Sequence, residues 1–240
     1  MSEHVDILCI TAHPDDAEIG MAGTLLHHVS LGHSVGIVDL TAGELGTRGT
    51  PELRRQEAEA ARKVLGALFR HQLGLADGFF RTDKESLLAV VSSVRRHRPR
   101  VVFTNAVRDR HPDHGRGAAL VAEACFLSGL RKVITHHDGR EQEAWRPTTV
   151  LHAIQDRYID PDLVIDITPH WEKKMEALRC FRSQFHDPAS TEPMSAIARE
   201  DFLPYLEGRA REMGRLIMTT YGEGFTVARP PGVRDVMDLV

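Results

Sequence analysis

Two short stretches of this chain gather side chains able to hold a metal ion and move protons. They are Ala12-His13-Pro14-Asp15-Asp16-Ala17-Glu18 and, about 100 residues later, Arg110-His111-Pro112-Asp113-His114, which together offer three histidines and three aspartates. Imidazole nitrogens with one carboxylate oxygen suit Zn²⁺, and a catalytic zinc takes three protein ligands and leaves one position for water. His13, Asp16 and His114 supply such a set. A second carboxylate outside that set can take a proton from the water, whose pKa zinc lowers to about 7, and Asp15 is the candidate. A further histidine can stabilise the developing oxyanion and then protonate a leaving amine, provided a carboxylate raises its pKa. His111, backed by Asp113, fits that part. The chemistry implied is metal-assisted hydrolysis of an amide or ester. Two imidazoles and a carboxylate also accept iron(II), cobalt or nickel, so zinc is the expected metal and other divalent transition metals are compatible.

Each cluster also has a plainer reading. Asp15 or Asp16 could cap the next helix, with Glu18 completing a capping box, and Asp113 could cap a helix beginning near Gly115. Placement decides between the readings, because both clusters follow predicted strands and in an open parallel sheet ligands bind beyond the carboxyl ends of the strands.

The elements that must position them alternate short β-branched runs with longer helical stretches, as βαβ crossovers do. Val5 to Thr11 is a continuous apolar run, Ala17 to Leu31 a helix closed by Gly32, Ser34 to Thr41 a strand, and Pro51 to Leu65 a helix stopped by Gly66. Gln72 to Leu75, Arg100 to Ala106, Val150 to Gln155 and Leu163 to Ile167 read as further strands. Lys84 to Arg96, Gly115 to Ser128, Pro169 to Phe185 and Ser195 to Met218 read as helices, the last interrupted at Pro204. A loop is expected over His136 to Pro147, and Gly222, Gly224 and Pro230-Pro231 make the last 20 residues turn-rich. The expected fold is α/β, a Rossmann-like three-layer arrangement with a mainly parallel sheet of five to seven strands flanked by helices, forming one domain over residues 1–240.

Composition narrows the function by exclusion. Hydrophobic residues make up 42% and charged residues 27%, an ordinary folded profile, and a net charge of −4 with interspersed signs offers nothing to nucleic acid or anionic membranes. Cys9, Cys125 and Cys180 are widely spaced and form no Cys-x-x-Cys pair, so neither a disulfide framework nor a thiolate zinc site is readable. With no basic leader and no apolar stretch near the ~18 residues of a membrane span, a cytoplasmic protein is expected. A dinucleotide-dependent oxidoreductase would carry G-x-G-x-x-G in the first βα turn, where this chain has His-Pro-Asp-Asp. A metal-binding α/β protein without catalysis would be expected to lose the base, and Asp15 is present.

The paired motifs A-H-P-D-D-A-E-I-G and R-H-P-D-H, with Thr41-Ala42-Gly43-Glu44 after the second strand, resemble the LmbE-like (PIG-L) zinc deacetylases. The resemblance implies a Rossmann-like fold and removal of acetyl from N-acetylglucosamine derivatives. It maps His13, Asp16 and His114 onto the zinc ligands, Asp15 onto the general base, and His111 onto the oxyanion-stabilising acid. The run Gly43 to Ala58, the later Ser183-Gln184-Phe185 and the ending Tyr221-Gly222-Glu223-Gly224-Phe225 resemble the bacillithiol-biosynthesis branch, whose substrate is N-acetylglucosaminyl malate. The mycothiol branch has a tyrosine where this chain has Asp109, which counts against a mycothiol precursor. An acetylated chitooligosaccharide, a thiol-conjugate amide or an antibiotic intermediate are the alternative substrates. By the same resemblance Glu44 would bond a sugar hydroxyl and Arg54 would contact the substrate, with Arg48 and Arg110 as further partners for malate carboxylates. Arg54 could equally be a helix-surface residue paired with Glu57 or Glu59. The family resemblance is also the ground for expecting a homo-oligomer, a trimer or hexamer.

Overall fold

The first strand, β1 (Ile7–Thr11), is buried along its whole length, and its alternating side chains feed two different cores. Leu8 and Ile10 pack with Val38, Leu40, Val90, Val94 and Leu120 on one side. Ile7 and Cys9 pack with Ala17, Met21, Leu25, Ile37 and Phe103 on the other. A strand covered on both faces needs an unbroken apolar run, and this one has it. The computed structural model describes residues 4–239.

Around β1 stand β2 (Val35–Asp39), β3 (Phe69–Gln72), β4 (Val101–Thr104) and β7 (Thr149–Ala153), all parallel. The edge is made by β8 (Leu163–Asp166) and β9 (Gly222–Val227), with β9 antiparallel to both β7 and β8. The order is β3-β2-β1-β4-β7-β9-β8, so the chain leaves β1 in one direction and returns on its other side at β4. That reversal opens a crevice beyond the carboxyl ends of β1 and β4, where both chemical clusters sit. The result is the expected α/β architecture at the upper bound of the expected strand number.

The helices α1 (Asp16–Ser30), α2 (Pro51–Leu65) and α5 (Trp171–Leu178) pack on one another on one face. On the other face α3 (Lys84–His97) packs on α4 (Pro112–Ser128). The last helix, α6 (Phe202–Leu216), lies against β8 and β9. Phe202 and Leu206 join it to a third core with Ile19, Trp171 and Phe181. Among the described residues no helix is long and apolar enough to cross a membrane.

Several element boundaries differ from the sequence expectation. The third strand is Phe69–Gln72, three residues earlier, in register with Gly36–Asp39. The expected loop after α4 contains a small hairpin, β5 (His136–His137) and β6 (Arg140–Glu141), turned by Asp138 and Gly139 with φ of 51° and 74°. Only Trp171–Leu178 of the 169–185 stretch is α-helical, after a 3-10 turn at Thr168–His170. Helix α6 starts at Phe202, so Pro204 lies in its first turn, where a missing N–H leaves no bond unmade. Val236–Asp238 adds a short 3-10 turn. The turn-rich ending contains a strand, β9, that the sequence pattern missed.

Candidate active site

The loop after β1 is pinned from below. Asn105, just past β4, accepts the Ala12 N–H at 2.7 Å and donates its own amide to Asp16 Oδ2 at 3.0 Å. Gln155, just past β7, donates to Asp16 Oδ1 at 3.0 Å and accepts from Asn105 at 2.9 Å. The His13 backbone N–H completes the set on Asp16 Oδ2 at 3.0 Å. Three strand ends therefore fix one carboxylate.

Two imidazoles converge on it. His13 Nδ1 lies 3.3 Å from Asp16 Oδ2, and His114 Nε2 lies 3.0 Å from Asp16 Oδ1. The far nitrogen of each ring is held by other carboxylates: His13 Nε2 by Asp77 at 3.0 Å and Asp113 at 3.3 Å, and His114 Nδ1 by Asp109 at 2.5 Å. An N–H donated outward leaves the inward nitrogen's lone pair free, the carboxylate–histidine arrangement that orients metal-binding imidazoles. The donor set fits a borderline divalent ion. Among the described residues, the triplets whose donor atoms all lie within 4.8 Å of one another are His13, His111 and His114, and His13, Asp77 and Asp113, whereas His13 and His114 meet Asp16 through different carboxylate oxygens. In the second triplet the Asp77 and Asp113 oxygens share the outer His13 nitrogen, and in the first His111 Nδ1 is occupied by a backbone N–H.

Asp15 stands beside this set with its backbone at φ 109°, a region a non-glycine residue rarely enters. It occupies the N-cap position of α1, yet its side chain makes no capping bond. Its Oδ2 accepts from Arg54 Nη2 at 2.6 Å instead. Arg54 also donates through Nε to the Pro14 carbonyl at 3.2 Å, which fixes the loop. Arg54 is buried and is not the helix-surface residue that spacing allowed: Glu59 bonds Arg62 and Glu57 bonds Ser183. Gly43 has φ +66°, and a Cβ there would lie 2.6 Å from Arg54 Nη1, so the Thr41-Ala42-Gly43-Glu44 turn needs glycine to let the guanidinium pass.

His111 is the N-cap of α4, and its Nδ1 accepts the Asp113 backbone N–H at 3.3 Å. With Nδ1 used as an acceptor, the neutral ring carries its proton on Nε2. Its centroid lies 4.7 Å from that of His13 and 5.1 Å from that of His114. The expectation that the Asp113 carboxylate backs His111 is not met. That carboxylate turns to His13, to the Gly78 N–H at 2.7 Å and to Arg116. Fully buried at the first turn of α4, it meets the cationic edge of His13 before it can fold back on its neighbour.

The electrostatics follow from this packing. Burial pushes the Asp16 carboxyl up, but the facing His114 and His13 outweigh it and hold the group well below its usual value. Burial depresses the His13 imidazole, and hydrogen bonds to Asp113, Asp16 and Asp77 reverse that, raising it well above the ordinary value. His114 is carried to about 9 by Asp16 and Asp109 against its own burial. Asp77 falls to about 2 because His13 and the Leu45 N–H overcome its burial. Asp15 moves the other way, raised by burial in spite of Arg54. His111 is lowered, first by burial and then by the charges of His13 and His114. The carboxylates thus demand cations in their midst, either protons on imidazoles or a metal ion that displaces them.

The cleft above these groups has a volume of about 520 Å³, and Arg54, Arg110, Gln155, Gln184, Tyr205 and Arg209 are among its lining residues. Of the expected substrate contacts, Arg110 lies at its rim, its Nε 3.3 Å from Asp156, and Arg54 lines it while bound to Asp15. Glu44 is exposed and spends its oxygens on the Asp77 N–H at 2.9 Å and the Ala42 N–H at 3.2 Å. Arg48 points to Glu192, 3.7 Å away, in a separate surface groove, while its carbonyl accepts from Gln184. Sequence reasoning missed Asp77, Asn105 and Gln155, and it noted Asp109 only as a difference. All four follow carboxyl ends of strands, and that position was the available signal.

Residues 8–125 match the family described as PIG-L, GlcNAc-PI de-N-acetylase. A diacetylchitobiose deacetylase of Thermococcus kodakarensis is 28% identical over 95% of this chain and 84% of its own length. A 4-oxalmesaconate hydratase of Pseudomonas putida is 26% identical over 75% of this chain and 74% of its own. The crystal structure of the conserved protein TT1542 from Thermus thermophilus superposes with a TM-score of 0.86 at 32% identity, covering 97% of this chain and 98% of that one. All the imidazoles and carboxylates of the donor cluster lie inside the matched stretch, and the likeness to the Thermus protein extends well beyond it; this chain belongs to the PIG-L family.

Proposed function

We propose that this protein is a zinc-dependent deacetylase that removes the acetyl group from an N-acetylglucosamine conjugate, with N-acetylglucosaminyl malate as the preferred substrate. The observation that carries the reading is the convergence of His13 Nδ1 and His114 Nε2 on the Asp16 carboxylate, with Asp15 beside them. An ion held by His13, Asp16 and His114 would supply Lewis acidity, polarising the acetamide and acidifying water.

The chain's own groups divide the remaining work. Asp15 takes a proton from the water that adds to the acetamide carbon. Its raised pKa brings it nearer to neutrality, where a general base is most effective. Arg54 keeps the carboxylate aimed and bars it from capping α1. His111 donates a hydrogen bond from Nε2 to the oxygen that becomes negative, and the C–N bond breaks as Asp15 passes the proton it took from water to the amine nitrogen. The malate preference is supported by the runs Gly43 to Ala58 and Tyr221 to Phe225. Part of that likeness is mutual contact in this structure: Ser183 bonds Glu57, and Gln184 bonds the Arg48 carbonyl.

The Pseudomonas relative motivates a second reading, addition of water to an unsaturated carboxylate. Acetate release from N-acetylglucosaminyl malate and from N-acetylglucosamine, with and without a chelator, tests the proposal. Chelator-sensitive release with a large preference for the conjugate is expected. Absence of acetate from every acetamido sugar, with hydration of an enoic acid instead, would transfer the site to the second reading.

A further inference from the structure

The cleft wall contributed by α6 carries a cation that the deacetylation steps do not use. Tyr205 and Arg209 sit one helical turn apart and both line the cleft. The Tyr205 hydroxyl donates to the Asp156 carbonyl at 2.7 Å, which fixes the ring, and Arg209 Cζ lies 5.8 Å from its centroid. The other guanidinium groups of the cleft are committed, Arg54 to Asp15 at 2.6 Å and Arg110 to Asp156 at 3.3 Å. Among the described residues no carboxylate forms an ion pair with Arg209. The acidic groups whose fields reach it are the Tyr205 hydroxyl, then Asp109, engaged by His114, and Asp156, engaged by Arg110. Burial lowers the Arg209 pKa, and the half-buried side chain keeps a face toward the cleft.

N-acetylglucosamine is uncharged, so the sugar itself offers no anion to this group. We propose that Arg209 forms an anion subsite that receives a carboxylate on the aglycone of the acetamido sugar. The inference rests on the deacetylase reading and assigns the selectivity for an acidic conjugate to α6, rather than to the arginines that follow β2. A planar guanidinium meets a carboxylate through two parallel hydrogen bonds, and a cleft of about 520 Å³ has room for a conjugated sugar.

The test uses the metal-loaded full chain and its Arg209→Gln and Arg209→Lys variants. Acetate release is followed on N-acetylglucosaminyl malate and on the neutral methyl N-acetylglucosaminide. Arg209→Gln should raise KM for the malate conjugate about 10- to 100-fold and leave its kcat unchanged, with no effect on the neutral glycoside. Arg209→Lys should recover part of the loss. Equal losses on both substrates, or no change on either, would overturn the subsite and leave the deacetylase reading intact. Calorimetric titration with glucosaminyl malate reads the subsite without turnover. Arg209-dependent binding in a protein that releases no acetate would retain the subsite and remove the deacetylase reading, whereas equal binding by wild type and Arg209→Gln would remove the subsite.

Discussion

At the scale of single residues, the site is a stack of carboxylates around imidazoles, and each carboxylate is told apart by what it touches. Asp16 takes bonds from Asn105, Gln155 and the His13 backbone, so it is held ionised and aimed at two ring nitrogens. Asp15, its neighbour in the chain, accepts from Arg54 and keeps a raised pKa through its burial. Adjacent, chemically identical side chains thus receive different tasks, one suited to holding a cation and one to accepting a proton. Asp15→Ala should therefore retain its metal by elemental analysis while kcat falls about 10²- to 10⁴-fold. A near-normal rate in that variant would take Asp15 out of the chemistry. The sequence made His13, Asp15, Asp16, His111 and His114 legible because their types are unusual together and fall after predicted strands. It did not reveal Asp77, which is one aspartate in an ordinary Ala-Asp-Gly turn and acquires meaning only when β3 brings it against His13. It also assigned Asp113 to His111, because proximity in the chain does not show which way a buried carboxylate turns.

At the scale of elements, the strands with continuous apolar runs were readable, and the one that was missed has a physical excuse. The glycines of Gly222-Glu223-Gly224 read as turns, yet they lie in β9 between β7 and β8. A Cβ on Gly222 would lie 2.8 Å from the Gly214 nitrogen, and one on Gly224 would lie 2.8 Å from Met213 Sδ, so these glycines let α6 approach the sheet. Between them Glu223 reaches into α1, accepting the Gly23 N–H at 3.1 Å and the Thr24 N–H at 2.7 Å. Lys174 of α5 donates to Glu223 at 2.6 Å and to the Ile19 carbonyl at 2.9 Å. A buried ion pair is thereby bonded to the backbone in the interior of the helix that begins at Asp16. The ending Tyr221 to Phe225 acquires a role on these contacts, as a clamp that joins β9, α5 and α1. Glu223→Gln should lower stability by about 3–5 kcal/mol, because it leaves the Lys174 charge buried without its partner. Thermal or denaturant unfolding measures the loss. Replacing both members by apolar residues should recover part of it, and an unchanged melting curve for Glu223→Gln would show that the clamp contributes nothing.

At the scale of the whole molecule, loops that follow the carboxyl ends of several parallel strands close on one crevice, and most of what meets there is negative. Asp15, Asp16, Asp77, Asp109 and Asp113 are drawn together by folding, and their repulsion is offset by two positive charges, carried either by protons on His13 and His114 or by one divalent ion in their place. A folded state that binds such an ion in a ready-made cage would gain folding free energy from the metal by mass action. With zinc at about a thousand times its Kd the gain is ~4 kcal/mol, which for a chain of this length corresponds to a shift in Tm on the order of 10 °C. Differential scanning calorimetry before and after chelation should show that drop, and re-addition of Zn²⁺ should reverse it. Identical melting with and without chelator would mean that the cage holds no ion tightly.

The order of these parts along the polypeptide has its own consequence. The imidazoles and carboxylates of the cage all precede residue 125, whereas the cleft wall bearing Tyr205 and Arg209 comes from a helix that starts only at Phe202. Reactivity and discrimination are written in separate passages of the chain, joined by the β4–β7 ladder, by the packing of α5 on α1 and α2, and by Gln155 and Glu223. Descendants of such a protein can redraft the later passage and acquire a new clientele while the earlier one keeps its chemistry.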